Sequence, residues 1–188
     1  MFVDHLDLQQ PLWRIVDEAL PAARCADYIQ KLLSANVEQA PVITNAGVEV
    51  DLAVRNNTRL MWDDEAEASA LVALLGANVP RKWKNETLVG GNPRLRLYCY
   101  QPGQHHSAHW DTVVDLGDGI RSRLTLVFYL NSDFTGGATE FPELAVGAVT
   151  PKIGRALVFQ HRVLHSAMPV VAGTKYVLRT DILYRGTP

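Results

Sequence analysis

Hydrophobic positions recur at helical spacing in the first half of the chain and alternate with polar ones from about residue 92 onward. Between Pro21 and Leu33, Cys25, Ile29, Leu32 and Leu33 share one side of a helix. Pro21 suits its first turn, where a missing N–H costs nothing. A second helix is expected after Asp63, the candidate cap. Asp64, Glu65 and Glu67 complement the positive end of that helix, Leu71, Val72, Leu74 and Leu75 form its apolar face, and Gly76 follows.

Strand-like runs separated by Gly- and Pro-containing turns then continue to Tyr184. In 94–100, Leu95, Leu97 and Cys99 oppose Arg94, Arg96, Tyr98 and Tyr100. In 123–130, Leu124, Leu126, Phe128 and Leu130 oppose Arg123, Thr125, Val127 and Tyr129. In 175–184, Tyr176, Leu178, Ile182 and Tyr184 oppose Lys175, Arg179 and Asp181. One apolar face per strand needs a cover, which the two helices supply, and the other face keeps cations, hydroxyls and phenols. The pattern predicts a mainly β fold with N-terminal helices, a sandwich or open barrel backed by helices on one sheet and lined with polar groups inside. Gly136-Gly137 reads as a hairpin turn returning through Thr139 to Pro142, Pro151 and Gly154 read as further turns, and Trp110 reads as core.

At 188 residues, with 47% apolar and 20% charged residues, the chain is long enough for one domain with a real core. Its net charge of −2 and the scattering of Arg14, Arg24, Arg55 and Arg59 lack the basic footprint of a nucleic-acid binder. Cys25 and Cys99 are too few for a disulfide framework and read as buried thiols. No basic-then-apolar leader and no membrane-spanning apolar run occur, so a cytoplasmic, membrane-free protein is expected.

Chemistry concentrates at His109-Trp110-Asp111, whose imidazole and carboxylate would share one face of an extended strand. That spacing alone is common, and His5-Leu6-Asp7 repeats it at the N-terminus, where it reads as surface. What distinguishes His109 and Asp111 is His165, at the end of a later strand in FQHRVLHSAMPV. Two histidines and a carboxylate form the facial triad of non-haem Fe(II) sites. The same donors suit zinc, and ligand type alone does not choose between the metals.

The segments YQPGQHHSAHWD, RSRLTLVFYLN, GGATEF, VTPKIGRALVF and LHSAMPVVAGTK, in that order, resemble successive blocks of the Fe(II)- and 2-oxoglutarate-dependent dioxygenases of the prolyl 4-hydroxylase type. IVDEALPAARCADYIQKL resembles that family's helical lead-in. The resemblance implies a double-stranded β-helix, or jelly roll, in one domain over 1–188, with the lead-in at about 1–90 and the core at about 91–186. It implies Fe(II), O₂ and 2-oxoglutarate as cosubstrate, with ascorbate as a candidate reductant.

Carried across, His109, Asp111 and His165 would ligate iron, Lys175 would pair with the distal carboxylate of 2-oxoglutarate, and Tyr100 would hydrogen-bond the cosubstrate. Thr125 and Tyr129 are further donors to that carboxylate, and Arg179, sharing the parity of Lys175, is a second candidate cation. His105 and His106 read equally as substrate-facing or solvent-facing, and His161 as a packing or ligand-supporting histidine. RNNTRLMWDD reads as a hydrogen-bonding loop, and the family's corresponding region lies near the substrate entrance, so Arg55, Asn57 and Arg59 are candidate substrate contacts. The expected reaction is hydroxylation of an unactivated C–H in a prolyl residue of a peptide or in a small amino-acid-like metabolite. The alternative is a cupin-like metal- or ligand-binding protein without oxygenase activity. Oligomeric state is not legible.

Overall fold

The computed structural model describes residues 5–44, 47–145 and 147–186. Strand β1 (Trp13–Val16) precedes helix α1 (Ala22–Leu33), strand β2 (Thr58–Asp63), helix α2 (Glu65–Ala73), and strands β3 (Glu86–Gly91), β4 (Arg94–Tyr100), β5 (His106–His109) and β6 (Ile120–Tyr129). Strands β7 (Thr139–Glu140), β8 (Ala148–Val149), β9 (Ala156–Gln160), β10 (His165–Ala167) and β11 (Lys175–Arg185) complete the core. A ten-stranded antiparallel sheet runs β1-β9-β6-β11-β4-β2 and ends on Glu38–Gln39, with β3 pairing β11. A four-stranded sheet runs β8-β7-β10-β5. Both sheets send side chains into one cavity, the jelly-roll arrangement.

The alternation seen in the sequence separates two cores. Leu95, Leu97, Leu124, Leu126, Phe128 and Leu178 pack beneath the helices with Cys25, Tyr28, Leu32, Ala68, Leu71 and Val72. Tyr98, Tyr100, Tyr129, Phe159 and Val177 belong to a second cluster on the cavity side. Helix α2 lies close on β3: a side chain at Gly91 would start 2.4 Å from the Ala68 carbonyl oxygen, so only glycine allows the approach.

Several expectations require correction. The α2 cap is Asp64, whose Oδ1 accepts from the Glu67 N–H at 2.9 Å, because Asp63 ends β2 and pairs with Arg94. Leu74 is 41% exposed rather than core, since its position lies at the C-terminal end of a nine-residue helix. Trp110 is 38% exposed, because β5 ends at His109 and the alternation of a strand no longer holds there. Asp7 is buried, accepting from the Lys84 and Gln9 N–H groups, so His5-Leu6-Asp7 is surface only at His5. Gly136-Gly137 makes no hairpin: Thr135–Gly136 pairs with Val170–Ala172, whereas β7 pairs with β8 and β10. The lead-in is not purely helical, because β1 and β2 join the large sheet, and RNNTRLMWDD is half strand. Among the described residues no helix is long and apolar enough to cross a membrane.

Candidate active site

His109 closes β5 and His165 opens β10, and the two are direct partners across the antiparallel pair. That register places their rings 4.3 Å apart by centroid. Asp111 lies two residues beyond β5, where its N–H donates to the His161 carbonyl at 2.9 Å. Its Oδ1 is 3.8 Å from His109 Nε2 and its Oδ2 is 3.7 Å from His165 Nε2. Each imidazole donates from Nδ1 to a nearby backbone carbonyl, Ser107 at 2.8 Å and Val163 at 3.0 Å, which turns the lone pair of Nε2 inward. His109 Nε2 is buried with no hydrogen-bond partner among the described residues. One donor atom from each of the three side chains falls within 4.8 Å of the others. Two neutral imidazole nitrogens and a carboxylate, one nitrogen orphaned, fit a divalent metal ion.

The surrounding charges keep the set in its ligating form. Burial lowers His109 to about 3, and burial likewise lowers His165. Burial alone would raise Asp111, but the Arg179 guanidinium at 2.8 Å, with His165 and His109, holds its carboxyl well below the usual range. Thr125 donates from its hydroxyl to the other Asp111 oxygen and receives the His161 Nδ1 hydrogen at 2.9 Å, while Ser122 holds His161 Nε2 at 2.8 Å. Asp111 is therefore fixed on both oxygens before any ion binds.

Deeper in the cavity, Lys175 stands opposite Tyr100 in the β11–β4 register. It is 2% exposed, and its Nζ donates to the Gly137 carbonyl at 2.6 Å, between the rings of Tyr100 at 5.1 Å and Tyr129 at 5.5 Å. No carboxylate among the described residues pairs with it, and burial pulls its ammonium down to about 7. Gly137 carries φ +64°, and a side chain there would meet Lys175 Cδ at 3.0 Å, so the glycine makes room for the lysine. Tyr129 and Thr139 share a hydrogen bond of 2.7 Å beside it.

A family model for the 2OG-Fe(II) oxygenase superfamily matches residues 95–180. The matched segment holds all three residues of the His-Asp-His cluster and Lys175. An Acanthamoeba polyphaga mimivirus protein whose name proposes it as a prolyl 4-hydroxylase is 33% identical over 101 residues. That match covers 44% of this chain and 41% of the relative, so it spans less than half of that protein's length. A solved Pseudomonas putida prolyl-4-hydroxylase has a TM-score of 0.70 at 22% identity, covering 94% of this chain and 95% of that one. A Trichoplax adhaerens prolyl hydroxylase, in complex with a hypoxia inducible factor oxygen degradation domain peptide, has a TM-score of 0.70 at 20% identity, covering 94% and 85%. The viral collagen prolyl hydroxylase of Paramecium Bursaria Chlorella virus-1 has a TM-score of 0.64 at 17% identity, covering 96% and 98%. These three likenesses establish the fold.

Within this fold, His109, Asp111, His165, Lys175, Tyr100, Thr125, Tyr129, Arg179 and Arg55 converge on one cavity. Two are committed differently from expectation. Arg179 is engaged with Asp111 and, at 3.3 Å, Asp181, since β11 points positions 179 and 175 into the cavity at different depths. Thr125 is spent on Asp111 and His161. Arg59 lies outside the cavity, paired with Glu38 at 2.7 Å across the edge of the sheet, and Asn57 is a buried support accepting from Arg55 Nε at 2.9 Å. His105 is outside as well, its Nε2 3.2 Å from the Ala53 carbonyl. His106 lines the cavity, its ring stacked 3.7 Å from that of His109. Its position one strand-length before His109 was visible in the sequence, but the stacking depends on how β5 lies against the 51–55 turn.

Proposed function

We propose that the protein is an Fe(II)- and 2-oxoglutarate-dependent dioxygenase that hydroxylates an unactivated C–H bond, with His109, Asp111 and His165 as metal ligands and Lys175 as the anchor of the cosubstrate. The reading rests on one observation: a His-Asp-His cluster with an orphaned Nε2 shares its cavity with a buried lysine that has no carboxylate partner among the described residues. A dianionic 2-oxo acid is the ligand that satisfies both, with its keto acid end toward the cluster and its far carboxylate on Lys175. Tyr129 and Thr139 add hydroxyls beside Lys175, and Tyr100 forms the wall over it.

When bound, Fe(II) with O₂ and 2-oxoglutarate supplies the oxidant for the C–H bond, with succinate and CO₂ as co-products. The chain's own part is positioning. Arg179 and Thr125 hold the Asp111 carboxylate ionised and oriented, the backbone carbonyls of Ser107 and Val163 hold the imidazoles, and Val127, Phe159 and Val177 keep the wall apolar. The names of the relatives support a prolyl or proline-like substrate. Two free, buried cysteines support a reducing, cytoplasmic setting.

The test is anaerobic titration of apo-protein with Fe(II) and 2-oxoglutarate, following the visible charge-transfer band of the chelate in wild type and Lys175→Ala. A band that needs about tenfold or more additional 2-oxoglutarate in the variant supports the reading. Iron binding without a band in wild type replaces it with the cupin-like metal-binding alternative. Parallel turnover assays with and without ascorbate show whether a reductant is needed.

A further inference from the structure

A third buried cation of the same cavity, beside Lys175 and Arg179, has no use in that mechanism. Arg55 is 7% exposed and lines the cavity, yet no carboxylate among the described residues pairs with it. Its Nε donates to the neutral Asn57 side chain at 2.9 Å, and its guanidinium lies 4.7 Å from the centroid of the Tyr98 ring. Tyr98 and Tyr100 are alternate residues of β4 with rings 6.4 Å apart. The two unpaired cations therefore occupy adjacent seats, Lys175 on Tyr100 and Arg55 on Tyr98. Arg55 forms a backbone bridge with His106, whose ring stacks on His109, so its seat is on the metal-cluster side, among the half-buried His106, Ser166 and Ala167.

The charge balance sharpens this. Asp111 and Asp181 offset Arg179 and Arg96. On the reading proposed above, a divalent metal ion is offset by dianionic 2-oxoglutarate. Lys175 takes the far carboxylate of that ligand, and Arg55 is left as a buried cation with no anionic partner among the described residues, where an uncompensated charge is costly. The neighbouring Tyr98 phenol is drawn down to about 8, burial being outweighed by Arg55, Arg179 and Arg96, which shows the same cationic bias.

We infer that the primary substrate carries a free carboxylate received by Arg55, making it a small amino or imino acid rather than an internal residue of a peptide. The planar guanidinium is held at Nε by Asn57 and lies beside the neutral phenols of Tyr98 and Tyr100, so a carboxylate reaching it would meet a fixed, charged fork with no anion already on it among the described residues. A carboxamide or peptide carbonyl in that seat leaves the arginine's charge uncompensated.

This inference rests on the dioxygenase reading, and the experiment separates the two. Wild-type protein with Fe(II) and 2-oxoglutarate is first checked for the chelate band, then offered the proteinogenic L-amino acids, the carboxamide of each, and an N-acetylated, C-amidated peptide with an internal proline. Binding is followed by anaerobic calorimetry, and turnover by succinate release. The expected result is at least one free acid that binds and is turned over with a kcat/KM about 100-fold above that of its carboxamide. Arg55→Gln abolishes that preference by raising KM for the acid about 30-fold or more, and Arg55→Lys, keeping the charge but not the fork, retains part of it. Failure of the chelate band defeats the dioxygenase reading itself. A normal band with acids no better than their amides, or with turnover of the blocked peptide alone, overturns the carboxylate inference and leaves the oxygenase standing. The wild-type comparison of acid and amide decides even if Arg55→Gln does not fold.

Discussion

Lys175 shows how one side chain ties stability to function. Burial lowers its ammonium from the usual 10.5 to about 7, so the folded chain releases a proton that the unfolded chain still holds. Between about pH 7 and 10.5 the unfolded state binds more protons, and stability rises with pH across that window. Ligand binding runs in the opposite direction, because a carboxylate needs the charged form. The affinity of the metal-loaded protein for 2-oxoglutarate is expected to fall as pH rises above about 7, by up to about tenfold per unit, with uptake of a proton. Calorimetry in two buffers of different ionisation enthalpy measures that uptake at pH 8, and Lys175→Ala abolishes it. Affinity independent of pH from 7 to 9 would remove Lys175 from the anchor role. Alternation in the sequence already put Lys175 on the polar face, but its isolation from every carboxylate of the described residues is a fact of packing, since Gly137 and two tyrosines from other strands enclose it.

At the scale of elements, α2 separates what periodicity reads from what capping geometry decides. Acidic residues stand at both 63 and 64, and composition does not say which one leaves the strand and starts the helix. Strand β2 claims Asp63 through its pairing with β4, so Asp64 takes the cap. Asp64→Ala is expected to cost about 1 kcal/mol in urea unfolding. Asp63→Ala, which removes a solvent-exposed ion pair, leaves the midpoint nearly unchanged. The apolar face divides in the same way: Leu71→Ala, fully buried beneath the large sheet, costs roughly 2–5 kcal/mol, and Leu74→Ala, at 41% exposure, stays within about 0.5 kcal/mol. Equal losses for the two leucines would contradict the packing of α2 on β3.

Across the whole molecule, the metal cluster joins strands β5 and β10 of the small sheet to a loop braced by the large one, through Asp111 to Arg179 and Thr125. Ion binding should therefore stabilise the entire fold. Divalent metal at about 100 times its Kd is expected to raise Tm by roughly 5–10 °C in a chain of this size. His109→Ala abolishes that rise. Asp111→Ala abolishes it too and begins from a lower Tm, by roughly 3 kcal/mol of stability, because Arg179 loses a buried partner and keeps only Asp181. Differential scanning calorimetry with and without Mn(II) checks both variants. An Asp111→Ala protein as stable as wild type without metal would refute the structural half of the role given to Arg179.

The sequence by itself determined the local terms: helix and strand periods, which face of each strand is apolar, and the residue types able to ligate a metal or hold a carboxylate. Those follow from one side chain and its near neighbours along the backbone, so a sandwich or open barrel with a helical cover, the His109, Asp111, His165 cluster and the inward parity of Lys175 could be read before folding, and the family resemblance narrowed the barrel to a jelly roll. Only the tertiary structure decided partnership. Arg179 and Lys175 share parity, charge and strand, yet one is neutralised by Asp111 and Asp181 while the other is left waiting for an anion. Arg55 and Arg59 sit four residues apart in one motif, yet one enters the cavity with no carboxylate beside it among the described residues and the other meets Glu38 outside it. A charge is satisfied by whatever lies within a few ångströms in space, and that neighbour comes from strand register and sheet closure, between segments as far apart in the chain as Asp111 and Arg179.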